Sequence, residues 1–165
     1  MCAKIKNRHR LKNKEIRGLK EEILENFDCV LNIEHSVVET GIIADNKIVF
    51  VNHEPCFIFK NSELVFTIFG LNRFRPKNKY VVVDMGAVKF VTNGADIMSP
   101  GVVDADENIS KGDQVWVCDL RNKKPLAVGF ALIDGDSMKN NKKGKAIDTF
   151  LYVGDSLWNY LAKSL

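Results

Sequence analysis

Val83-Asp84-Met85-Gly86-Ala87-Val88-Lys89-Phe90-Val91-Thr92-Asn93-Gly94-Ala95-Asp96-Ile97-Met98-Ser99-Pro100-Gly101-Val102 is a run punctuated by spaced glycines. The residues leading into it, Tyr80 to Val83, are β-branched or aromatic and predict a strand. Asp84-Met85-Gly86 turns the chain. Ala87 to Asn93 is long enough for one short helix. Gly94 stands just past its end, where the backbone swings to positive φ and residues with a Cβ resist. Ala95 to Met98 is short and extended, and Ser99-Pro100-Gly101 turns the chain again.

Downstream, Lys111-Gly112-Asp113 precedes the alternating Gln114 to Asp119, and Asn122-Lys123-Lys124 is a turn before Pro125 to Leu132. Lys142 to Lys145 is a basic loop, Thr149 to Val153 a strand, and Asp155 or Ser156 starts a terminal helix whose Leu157, Trp158 and Leu161 suit a core. Several short strands at close spacing, with one small helix, predict a closed β barrel. Upstream, residues 70 to 79 are polar or structure-breaking and read as a linker, with a boundary near Pro76. Before it, Ile16, Leu19, Ile23 and Phe27 mark one face of a helix that Asn13 can cap. Residues 36 to 69 read as strands broken at Asp45-Asn46, Pro55 and Lys60 to Glu63. The expected organisation is an α+β N-terminal domain at 1–76, with a basic leader at 1–14, and a barrel domain at 77–165 that includes the terminal helix.

The glycine-punctuated run resembles the opening of a PUA domain: a strand, an acid-x-Gly-Ala turn, a short helix, then Gly-Ala-x-apolar-apolar-x-Pro-Gly-apolar. Lys111-Gly112-Asp113-x-Val115-x-Val117 and Ala127-Val128-Gly129 resemble its later strands. Lys142-Lys143-Gly144-Lys145-Ala146-Ile147, Tyr152 and Gly154-Asp155-Ser156-Leu157-Trp158 are similar to the end of the malignant T-cell amplified sequence family, and Ile16-x-x-Leu19-x-x-x-Ile23 sits where that family has a helix. That resemblance implies a PUA-type closed β barrel with short helices. It also implies an RNA-binding factor in translation at the small ribosomal subunit. Such a factor contacts rRNA and the tRNA acceptor end in initiation, reinitiation, or tRNA release and recycling, often with a protein partner. The chain departs from the family pattern at its basic leader and at Ser99, where some members have Cys. An RNA-binding accessory subunit of a tRNA- or rRNA-modifying enzyme is the competing function, and a pure protein-interaction module the third.

Composition narrows the classes without choosing among them. The chain has 165 residues, 45% apolar and 27% charged, with a net charge of +3. That suits a folded protein with its own core. Four cysteines at 2, 29, 56 and 118 form no C-x-x-C pair, and with His9, His35 and His53 they lack zinc spacing, so no metal or cofactor is expected. No stretch approaches a membrane span, and no secretory signal is legible, so the expected location is the cytoplasm. No G-x-S-x-G or Walker loop supports catalysis. Asp84 and Asp113 read as turn caps. Cations concentrate at Lys4, Lys6, Arg8, Arg10, Lys12 and Lys14, whereas residues 77 to 155 carry eleven of each sign and are formally neutral.

The candidate RNA-contacting residues are therefore local. Lys89 is either a phosphate contact or a solvated helix lysine. Asn93, Gly94, Ala95, Met98 and Ser99 form the edge where PUA resemblance implies RNA contact, though Met98 also suits a core. Gly94 and Ala95 present almost no side chain, which leaves their backbone approachable. Lys139, Lys142, Lys143 and Lys145 form a basic loop, either solvated or on RNA. Trp158 reads as a barrel plug or a stacking platform.

Overall fold

The computed structural model describes residues 4–163, so Cys2 lies outside the described residues. The chain divides into two compact units. One takes the chain up to Pro76 together with residues from Asn159, and the other is Lys77–Trp158.

The first unit is a five-stranded antiparallel meander, β1 (Lys6–Arg10), β2 (Val38–Ile43), β3 (Asn46–Val51), β4 (Glu54–Lys60) and β5 (Glu63–Phe66), in that spatial order. Helix α1 (Asn13–Phe27) buries Leu19, Ile23 and Phe27, with Phe27 meeting Phe66 edge-on. Ile16 stays half-buried. The cap lies one residue before the expected Asn13: Lys12 is the N-cap, and its N–H donates to the Glu15 carboxylate at 2.8 Å. The expected hairpin at 60–63 closes with Lys60 opposite Glu63.

Three features depart from expectation. The basic leader is not a tail: Lys6–Arg10 pairs with β2, with a bulge between Lys6 and His9. Pro55 lies inside β4, where its missing N–H falls at a register shift between β3 and β4. The expected linker begins with α2 (Ile68–Phe74), whose N-cap Thr67 accepts from the Gly70 N–H at 3.1 Å. A Cβ on Gly70 would run into the Cys56 carbonyl, so this helix lies hard against β4.

The second unit is a six-stranded sheet ordered β7-β11-β10-β9-β6-β8. Its strands are β6 (Tyr80–Val83), β7 (Ile97–Met98), β8 (Val102–Ala105), β9 (Gln114–Asp119), β10 (Pro125–Ala131) and β11 (Lys145–Tyr152), and β6 pairs with β9 in parallel. The two edges, β7 and β8, are separated in sequence only by the 3-10 turn Ser99–Gly101. That short link forces the sheet to curl until its edges approach, which gives the nearly closed barrel. Val81, Val83, Val115, Val117, Ala127 and Ile147 fill its interior. The short helix is α3 (Val88–Val91), and Asp84 caps the turn before it by accepting from the Ala87 N–H at 2.8 Å. Asp113 accepts from the Ser110 N–H and pairs with Lys79 at 2.7 Å.

A further helix, α4 (Gly135–Asn140), stands where only loop was expected, capped by Asp134. The terminal helix α5 (Ser156–Ala162) was expected wholly within the barrel domain, yet residues from Asn159 group with the first unit. Its apolar spacing marks a buried face but does not say which surface that face meets.

Candidate nucleic-acid interface

Helix α3 faces β7 and the 3-10 turn after it across a gap. This gap holds a groove of about 500 Å³, lined on one side by Ala87, Phe90 and Val91 and on the other by Ala95, Met98 and Pro100. Val88 and Val91, three apart, turn α3 toward the core. Phe90 therefore lies off that face and is 58% exposed. Met98 is 46% exposed, so it is no core residue. Lys89 places its ammonium 5.1 Å from the Phe90 ring centroid. Both carboxylates of the groove are engaged: Asp84 in its turn, Asp96 with the Thr149 N–H at 3.0 Å and Lys145 at 3.2 Å. These contacts hold the Asp96 carboxyl below its ordinary range, the Thr149 N–H contributing most.

The expected residues fall into four kinds. Ala95 and Met98 line the groove, and Lys89 stands beside it over Phe90. Asn93 is exposed at the end of α3, its N–H donating to Phe90. Gly94 has φ +87, and a Cβ there would sit 2.8 Å from the Tyr152 ring. Its missing side chain is thus required by packing as well as by backbone. Ser99 is 2% exposed, its Oγ has no hydrogen-bond partner among the described residues, and its N–H donates to Gly144. It therefore presents no polar group at the surface.

The basic residues do not form one loop. Lys139 is on α4, beside Asp136 at 3.7 Å. Lys145 begins β11 and is paired with Asp96. Lys142 and Lys143 are exposed, and no ion pair reaches them among the described residues. The Ser99–Gly144 hydrogen bond and the pairing of Met98 with Lys145 bring their loop to the groove's turn. The Asn93–Ser99 edge and the Lys142–Lys143 loop are therefore neighbours. Trp158 is half-buried, its N–H donating to Asp155.

Sequence reasoning missed Phe90. The signal was present in the spacing of Val88 and Val91, which leaves Lys89 and Phe90 between them facing outward. The chemistry on offer is an apolar slot with an exposed aromatic and nearby ammonium groups, which suits an unpaired base with its phosphates. Cys56 and Cys118 are poor nucleophiles: burial pushes the Cys56 thiol up to about 12 and that of Cys118 to about 11.

A PUA domain model matches residues 79–150, and a model described as a domain of unknown function (DUF1947) matches residues 7–74. An uncharacterized protein of Methanocaldococcus jannaschii is 43% identical over 94% of this chain and 98% of its own length. The chain belongs to the same PUA-domain family as this archaeal protein and resembles the malignant T-cell-amplified sequence proteins. The translation machinery-associated protein 20 of Saccharomyces cerevisiae is a more distant relative, 28% identical over 94% of this chain and 93% of its own. Among solved structures, a hypothetical protein from Pyrococcus horikoshii superposes with a TM-score of 0.81 at 30% identity, covering 92% of this chain and 98% of that one. The PUA barrel and the α+β domain before it are thus a recurrent pair.

Proposed function

We propose that this protein binds RNA as part of the translation machinery and is not an enzyme. The observation that carries the reading is the apolar groove between α3 and β7, with exposed Phe90 and Met98 and the lysines 89, 142 and 143 around it. A slot of this kind accepts an unstacked base, while the ammonium groups neutralise flanking phosphates. The PUA match and the full-length similarity to translation machinery-associated proteins support the same direction.

The finer reading is that the protein acts at the small ribosomal subunit, contacting rRNA, the acceptor end of tRNA, or both, in initiation, reinitiation or tRNA recycling, with a protein partner in translation initiation. This work belongs in the cytoplasm. Among the described residues no helix is long and apolar enough to cross a membrane.

Cosedimentation with purified small subunits, alongside titration of tRNA with intact and trimmed acceptor ends, tests it. Comigration with the subunit and weaker binding to trimmed tRNA are expected. Absence from the subunit fraction together with no affinity for either tRNA would contradict it.

A further inference from the structure

We infer that β1 and the residues around it form a second nucleic-acid contact on the first unit, a phosphate-binding track that reads no sequence. The inference rests on the RNA-binding reading above but concerns a surface remote in sequence from the groove. Residues 4 to 14 carry Lys4, Lys6, Arg8, Arg10, Lys12 and Lys14 and no acid. In the fold this stretch is held in place. Leu11 N–H donates to Val38 at 3.0 Å, and Lys12 N–H is capped by Glu15 at 2.8 Å. Arg8 anchors the strand: its guanidinium donates to both oxygens of Glu39, at 3.2 and 3.0 Å, and stands 4.9 Å from the Phe50 ring centroid. This hydrogen bonding is the main reason the Glu39 carboxyl is held below its ordinary range.

Arg8 is thus committed to structure, and Glu39 is matched. The other five cations are exposed, and no ion pair reaches them among the described residues. Arg10 still acts on Glu39, but Lys4 and Lys6 at the start of β1 and Lys12 and Lys14 at the start of α1 are held as like charges, which is unfavourable unless an anion is met there.

Two other uses of an edge strand fit less well. A partner strand adding to the sheet needs pockets for alternate side chains, but all five residues of β1 are polar or charged and exposed. Lysines also guard edges against pairing, but Lys12 and Lys14 stand at the start of α1, off the edge strand.

The test is the salt dependence of binding to a labelled mixed-sequence single-stranded RNA. It compares wild type, Phe90→Ala, and a combined Lys6→Ala, Arg10→Ala, Lys12→Ala, Lys14→Ala protein that keeps the Arg8 anchor. Each lost phosphate contact removes about 0.7 from the slope of log K against log salt, so the combined variant should be shallower by roughly 2 to 3. Phe90→Ala should lose affinity with the slope kept. Thermal melts of all three should agree, because the substituted side chains are exposed. Binding with an unchanged slope in the combined variant overturns this inference alone. An unchanged slope accompanied by self-association would mark the cations as edge guards. No binding by wild type at any salt overturns both this inference and the groove reading.

Discussion

At Gly94 backbone and packing make the same demand. Its φ of +87 excludes most side chains, and Tyr152 occupies the space a Cβ would need. Gly94→Ala should therefore lose about 1–3 kcal/mol of stability, read by denaturant unfolding; an unchanged midpoint would contradict the packing seen here. A tryptophan at this position would test the barrel rather than the RNA site. Asp96 makes a pH prediction. Its folded pKa is depressed, chiefly by the Thr149 N–H and then by Lys145. The stabilisation it gives is thus present above the unfolded carboxylate value of about 3.9 and is lost as pH falls through the folded value. Asp96→Asn should flatten the acid limb of the stability profile, and an unaltered limb would remove Asp96 from it. The motif glycines were legible in the sequence because positive φ and turns restrict residue type. Phe90 was signalled only by the Val88–Val91 spacing, and the burial of Ser99 was not legible, because exposure on a one-turn link depends on how the barrel closes.

Among the elements, strands with strong alternation or tight turns were readable, whereas β1 and α2 were not. The stretch Lys-Asn-Arg-His-Arg has no apolar alternation, since an edge strand with both faces exposed needs none. Only its pairing with β2 makes it a strand, so deleting residues 1–12 would strip a strand from the sheet as well as charge. The α2 segment reads as linker because Gly70 and Asn72 are poor helix formers. Thr67 and the close approach to β4 override that weakness. Thr67 is buried, accepts from Gly70 and donates to the Pro55 carbonyl at 2.5 Å. Thr67→Val leaves those partners unmatched and should cost about 1–3 kcal/mol in a thermal or denaturant melt. A cost near zero would show that α2 does not depend on its cap.

For the whole molecule, the two-part architecture and the barrel followed from the change in punctuation near Pro76. The groove did not, since it exists only because the fold sets α3 across from β7 and the 3-10 turn. Bulk charge could not reveal it either, because residues 77 to 155 are formally neutral. Binding should still be salt-sensitive, with a slope of log K against log salt of roughly −3 to −5 for four to six phosphate contacts. Lys142→Ala with Lys143→Ala should make it shallower by about 1 to 2, and an unchanged slope would leave that loop solvated. The central claim is that an RNA base enters the groove and meets Phe90. Equilibrium titration of a labelled single-stranded RNA with wild type and Phe90→Ala, beside a thermal melt of each, tests it most directly. Base stacking on an aromatic is worth about 1–3 kcal/mol, so Kd should rise about 5- to 150-fold with the melt unchanged. Equal affinities for two equally stable proteins would contradict it.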